Sequence, residues 1–360
     1  MNDTKEIGYE KFIENFNSFS QKVTKELFKE NKNYVFSLVS LYYALSILNE
    51  GTIGKSREEL NSLVLSNVNV NRECLKEIFL NNHYVNENGK MNIASSLWIK
   101  EGFNVNKEFQ KLINDYYFCE VFSSRFCNSS KEEIAKWVNH QTENFLEINK
   151  ESFSFDKQTV CAIINTLYFN NKWKYEINKE NIYKDLFDNQ TTVEYLNHTI
   201  DTFYCNKEKY EAIFDFYHNE NKIKFIMPKD GYSVEEVLCE DIFSNDGMES
   251  VKCDISFPKF EISSNYDLIK PLMNLGINNI FKNQVSNIID GFDAKVDDII
   301  QIAKISVNEE GTKVAAMTSI GIALTCLWHE TKIFKLNKPF IYIIYDGHNI
   351  PLLVGKVKRL

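Results

Sequence analysis

The run Val160-Cys-Ala-Ile-Ile-Asn-Thr-Leu-Tyr-Phe169 constrains the fold more than any other part of the chain. It is almost continuously apolar, rich in β-branched and aromatic residues, and carries no charge. A strand of this composition has no face to give to water, so it belongs in the middle of a sheet that is covered on both sides.

Around it the pattern changes from helical to extended. Phe12, Phe16, Phe19, Val23, Leu27 and Phe28 recur at helical spacing until Asn31-Lys-Asn33 ends the run. A short strand, Tyr34-Val-Phe36, leads into Ser37, which is placed to cap a helix through Ser40–Leu48. Gly51–Gly54 reads as a turn, and Ser56-Arg-Glu-Glu59 as the capping box of another helix. Residues 91–98 read as a strand, Lys107–Tyr117 as a short helix and Lys131–Phe145 as a longer amphipathic one. From about 185 strands dominate, the clearest being Lys222–Met227, Ser250–Ile262, Lys332–Tyr345 and Pro351–Val357. One more helix is predicted at Asp267–Leu275, stopped by Gly276. Asp346-Gly347 predicts a hairpin turn with a loop reaching toward Asn349. With no repeat and no linker, the pattern predicts one α+β domain over residues 1–360.

Residues 307–328 have no fixed place in that scheme. Glu309, Glu310 and Gly311 lead into small and β-branched residues with no charge after Lys313. High β-propensity, low charge and no proline describe a buried strand, yet the next convincing strand starts near Ile333. The segment is a loop with the composition of a strand.

Bulk composition excludes several functions. With 44% hydrophobic residues, 13 glycines and 5 prolines in 360, the chain buries a large core and contains no long disordered linker. A net charge of −9 opposes attraction to nucleic acid or anionic membrane, and neither 72–76 nor 356–359 makes a strong heparin-type site. No apolar run reaches membrane-spanning length, and the first residues are polar, without the apolar core of an export signal. Eight cysteines are scattered singly, which argues against a zinc site and for reduced thiols in a cytoplasmic protein, with release by a non-classical route left open. No metal and no cofactor is expected. Six dispersed histidines and the absence of nucleophile, phosphate-loop and dinucleotide motifs argue against an enzyme.

Four blocks resemble the serpin family, the serine protease inhibitor superfamily, across essentially the whole chain. They are Phe36-Ser-Leu-Val-Ser40 with Gly51-Thr52 and Glu58-Glu-Leu60; Asn165–Trp173; Phe257-Pro-Lys-Phe260 with Tyr266-Asp-Leu268 and Leu275-Gly-Ile277; and Phe334–Phe340 with Pro351–Lys356. The resemblance implies three β-sheets, eight or nine helices and an exposed reactive-centre loop near 309–331. In inhibitory members a protease cleaves this loop, is held as an acyl-enzyme, and is carried off as the loop joins the large sheet as a new strand. The resemblance further assigns a sheet-opening region to Ser37, Ser40, Asn165, Trp173 and Gln301. Gln301 stands where the family has a histidine that bonds to the equivalents of Ser40 and Asn165, and Leu38 where it has proline.

The loop sequence fits insertion. With Glu309, Glu310 and Gly311 as the start of the hinge, Thr312, Val314, Ala316 and Thr318 turn inward, with Ala315 among the outward residues. None of the inward set is charged. Val314 and Met317 depart from the alanines of inhibitory hinges, which favours slower insertion and more substrate-like cleavage. Counting from Gly311 places the cleaved bond at Thr325–Cys326, with Leu324, Leu327 and Trp328 as alternatives. All are uncharged, so the expected partner of a monomeric inhibitor is a chymotrypsin- or elastase-like serine protease with an apolar pocket. A non-inhibitory binding or chaperone module and cross-class inhibition of a cysteine protease are the alternatives.

Overall fold

The computed structural model describes residues 2–64, 68–153, 155, 159–282, 285–294, 296, 299–312 and 331–360. The helical half comprises α1 (Asn2–Leu27), β1 (Tyr34–Ser37), α2 (Leu38–Glu50), α3 (Gly54–Val64), α4 (Val68–Asn81), β2 (Tyr84–Asn86), β3 (Gly89–Lys100), α5 (Lys107–Tyr117), β4 (Glu120–Ser124) and α6 (Asn128–Gln141). The extended half begins with β5 (Cys161–Lys172), β6 (Ile182–Phe187), β7 (Thr191–Asn206), β8 (Tyr210–Phe216), β9 (Lys222–Pro228) and the short α7 (Val234–Val237). Then come β10 (Glu249–Pro258), β11 (Phe260–Asp267), α8 (Ile269–Asn274), β12 (Val285–Ile289), β13 (Phe292–Ala294), β14 (Ile300–Val307) and β15 (Gly311–Thr312). The chain closes with β16 (Lys332–Lys335), β17 (Phe340–Tyr345) and β18 (Pro351–Val357).

The apolar run at 160–169 becomes β5 of a large sheet, but it is not covered on both sides as its composition predicts. Among the described residues, beyond β3 only the two residues of β15 pair with it, and Ile163, Ile164, Asn165 and Leu167 are only half-buried, because its other edge borders an open slot. It pairs antiparallel with β3 from Cys161↔Ile99 to Asn171↔Gly89, and β3 carries β2 and the parallel β4 on its other side. Behind this sheet lies α2, buried along nearly its whole length because Leu38, Val39, Leu41, Leu45, Ile47 and Leu48 leave it almost no polar face. Ser37 caps it, its Oγ accepting from the Ser40 amide. A satellite core beneath α6 gathers Trp98, Phe126, Ile134 and Phe155.

The second sheet system runs β1-β18-β17-β9-β8-β7-β10-β16, with β6 on β7. Between β7 and β8 the ladder covers only Tyr204–Asn206 against Ile213–Glu211. The strands then part, so β6, β7, β10 and β16 form one sheet and β8, β9, β17, β18 and β1 another. Strands β17 and β18 are buried at every residue and form the centre of the main core.

Several predicted boundaries move, each for a physical reason. The stretch 250–262 is two strands, because β10 pairs with β7 whereas β11 pairs with β14 in the large sheet. Likewise 332–345 splits into β16, parallel to β10, and β17, antiparallel to β9, with Leu336–Pro339 as the crossing. The helix expected at 131–145 ends at Gln141, where Glu143 and Asn144 take left-handed conformations (φ 50° and 58°). Ser56 and Glu59 form no capping box: α3 begins at Gly54, and the Glu59 carboxylate instead accepts from the amides of Asn278 and Asn279, 2.8 Å away. Asp267 ends β11 opposite Ile300, which delays α8 to Ile269.

Candidate functional site

The large sheet is split lengthwise. Strand β5 pairs with β3 on one side and β14 pairs with β11 on its far side, yet among the described residues no ladder joins β5 to β14. The two edges face each other across a slot. Its upper part is lined by Asn165, Leu167 and Phe169 of β5, by Gln301, Ala303 and Ile305 of β14, and by Ser37 and Ser40 from below. Its lower part lies under α6 and the segment after it, between Ile163 and Ile164 on one side and Ile300 and Ile302 on the other.

The chain turns into the top of this slot. After β14 the Asn308 side chain accepts from the Glu310 amide at 3.0 Å, and Asn308 and Gly311 exchange backbone hydrogen bonds of 3.0 and 3.3 Å. This reversal lays β15 antiparallel on the free edge of β5, with Gly311 opposite Lys172 and Thr312 opposite Asn171. Gly311 takes φ +138°, and a Cβ there would lie 2.2 Å from the Asn171 carbonyl oxygen and 2.7 Å from the Lys172 Cα. Only glycine lets the backbone approach so closely. Thr312 is buried, and its hydroxyl lies 2.9 Å from the Tyr217 hydroxyl.

An aromatic floor supports the hinge. Trp173 follows directly from β5, stacks on Tyr217 with centroids 4.5 Å apart, and meets Phe257 at 5.4 Å. Its indole N–H donates to the Asn308 carbonyl at 2.8 Å, so the ring fixes the turn as well as the stack. Beside it Glu309 pairs with Lys259 at 2.8 Å, and Lys259 reaches Glu194 at 3.2 Å. The bond from Lys259 holds the Glu309 carboxyl below its ordinary range despite some burial.

At mid-slot the sheet-opening residues divide into two groups. Gln301 grips Ser37 twice: the Ser37 amide donates to Oε1 at 2.7 Å and Nε2 donates to the Ser37 carbonyl at 2.9 Å. Ser37 Oγ donates to Ser40 Oγ at 2.8 Å. Asn165, across the slot, donates to Ser95 Oγ at 2.6 Å. Gln301 therefore ties β14 to the start of α2, while Asn165 is tied to β3.

The large sheet is thus split, with a glycine turn docked at the mouth of the slot. The family model described as serpin (serine protease inhibitor) matches residues 14–360. The chain belongs to the serpin family. A serpin-like protein of Thermococcus kodakarensis is 28% identical over 364 residues, covering 96% of this chain and 84% of that protein. Rat alpha-1-antiproteinase is 26% identical, covering 97% of this chain and 89% of its own. Among solved structures, the thermophilic serpin tengpin in its native state superposes with a TM-score of 0.87 at 26% identity, over 98% of this chain and 95% of tengpin.

In this serpin the structure brings Glu309, Gly311, Thr312 and Trp173 together at the slot mouth, with Glu310 exposed on the turn. Ser37, Ser40 and Gln301 gather lower down. Val314, Ala315 and Ala316, and the cleavage candidates Leu324, Thr325, Cys326, Leu327 and Trp328, lie outside the described residues. Sequence reasoning missed Tyr217 and the role of Lys259. Lys259 stands inside the Phe257–Phe260 block and could have been noticed there. Tyr217 lies one residue beyond β8 with no local signal, because its partner Thr312 is 95 positions away.

Proposed function

We propose that this serpin inhibits a chymotrypsin- or elastase-like serine protease by accepting its own cleaved loop into the slot between β5 and β14. The observation that carries the proposal is the register of Gly311 and Thr312 on β5. Continued antiparallel, that register sets Val314 opposite Phe169, Ala316 opposite Leu167, Thr318 opposite Asn165 and Ile322 opposite Cys161. The inward set Thr312, Val314, Ala316 and Thr318 then faces the lining supplied by Phe169, Leu167 and Asn165, and no charge is buried.

The chemistry is an interrupted acyl transfer. The protease serine oxygen attacks the carbonyl carbon of the residue before the cleaved bond, for which Thr325–Cys326 is the first candidate. The C–N bond breaks, the serine proton passes to the departing amine, and an ester joins protease to loop. Hydrolysis of that ester would release a cleaved substrate. Insertion competes with hydrolysis, and displacement of the bound protease makes the trap.

Incubation with such a protease followed by denaturing electrophoresis tests the reading. The expected product is a band at the summed mass that survives boiling, with N-terminal sequencing of the released fragment locating the bond. A cleaved chain with no high-mass band for any chymotrypsin- or elastase-like protease would favour a non-inhibitory serpin.

A further inference from the structure

Below the hinge floor, where β7 parts from β8, the structure holds a buried ionisable pair. His198 of β7 places Nε2 2.8 Å from Asp215 Oδ2 of β8, with 5% and 0% of the side chains exposed. No other side-chain ion pair among the described residues is this deeply buried on both sides. The pair sits where the β7–β8 ladder has ended, and the nearby Thr202 hydroxyl donates to the Phe214 carbonyl at 2.6 Å. Side-chain bonds therefore hold the two diverging strands together.

The pair connects to the hinge through packed rings. Asp215 lies two residues before Tyr217, on the same face of the strand, and Tyr217 holds Thr312. His198 meets Phe257 at 6.2 Å, Phe257 meets Trp173 at 5.4 Å, and Trp173 stacks on Tyr217. Both partners thus lead to the two aromatic residues that seat the turn.

We propose that His198 and Asp215 form a proton-dependent clasp that positions Tyr217 and Trp173 beneath the hinge, so that docking of Gly311 and Thr312 weakens as His198 loses its proton. This deepens the reading of the slot as a loop acceptor and rests on it.

The surroundings favour the charged form. Burial alone would drive the proton off, but Asp215, with smaller help from Asp254 of β10, outweighs it and raises His198 above the ordinary histidine value. Asp254 pairs with Thr199 in the β10 ladder and binds Asn197 Nδ2 at 2.6 Å. From the segment after β5, Lys174 lies 5.9 Å over the Phe216 ring. The lysines of β9, Lys222 and Lys224, pair with Phe216 and Phe214 and so project from the face opposite Asp215. Two phenols also feel Asp215: Tyr217, kept protonated by burial, and Tyr175 from the segment after β5, raised by burial and by the charges of Asp201 and Asp215. The sign follows from the raised value. The clasp is complete below the unfolded histidine's titration, and its contribution is lost as pH rises through the folded one.

The test is hydrogen exchange of the Gly311 and Thr312 amides in the intact chain across pH 5–9, alongside NMR titration of the His198 ring. Expected is a roughly five- to tenfold fall in their protection factors, tracking the ring titration. In His198→Gln, which keeps a neutral donor toward Asp215, the profile flattens. Asp215→Asn does the same and lowers the His198 titration. A wild-type profile that is flat, or one unchanged in His198→Gln, overturns the clasp. Because no protease enters this experiment, failure to trap one would refute the inhibitory reading and leave this result standing.

Discussion

Under the proposed trapping mechanism Thr312→Arg turns an inhibitor into a substrate: the stoichiometry of inhibition rises at least tenfold, while loop cleavage by the same protease keeps its rate within a few-fold. The reason is visible at the hinge. Thr312 is 3% exposed, opposite the fully buried Asn171 and bonded to Tyr217. Every inserted register passes through this residue first. A guanidinium there is desolvated against the neutral Tyr217 phenol and the Asn171 amide, which costs several kcal/mol against a competing ester hydrolysis. A penalty of about 1.4 kcal/mol on the insertion barrier already changes the partition tenfold. Thr312→Ser is the control. It keeps the hydroxyl for Tyr217, loses one methyl worth about 1 kcal/mol, and remains an inhibitor. An arginine variant that inhibits with unchanged stoichiometry would show that Thr312 does not lead the inserted strand.

Cleavage of the loop by a non-target protease raises the melting temperature by roughly 10–15 °C. Filling the slot down to Cys161 adds on the order of ten backbone hydrogen bonds at ~1 kcal/mol net each. For 360 residues the unfolding entropy is about 0.8 kcal/mol per kelvin, so ~10 kcal/mol gives a shift of that size. The inward residues of the loop are small, so side-chain burial adds to this figure without overpacking. Calorimetry before and after nicking reads the shift. A cleaved chain that melts with the intact one would mean that the slot accepts no strand.

Much of this site was legible in the sequence, because its parts are local. The uncharged run at 160–169 announced a strand of the large sheet, and the serpin resemblance marked Gly311 as the hinge glycine. What sequence could not supply was the pairing between distant segments. Gln301 shows this well. Its position suggested bonds with Ser40 and Asn165, but the amide lies within reach of the Ser37 backbone and binds both of its polar groups. Nothing near residue 301 encodes that choice, which depends on how β14 crosses β1. His198 and Asp215 were equally silent. Each reads as an ordinary polar residue on an alternating strand until the parting of β7 and β8 turns both inward. The misplaced boundaries at 258–260 and 335–340 have the same origin, since an apolar run does not reveal which sheet each half joins.

Residue-resolved hydrogen exchange of the loop-cleaved chain, compared with the intact one, tests the account most directly. The backbone amides of β5 between Ile163 and Asn170, and those of β14 that face them, should gain protection of a thousandfold or more in the slot-facing half of each strand. The amides that already pair with β3 and β11 should change far less. Protection that stays the same on both edges after cleavage would contradict the central claim that this sheet is built to take up its own loop.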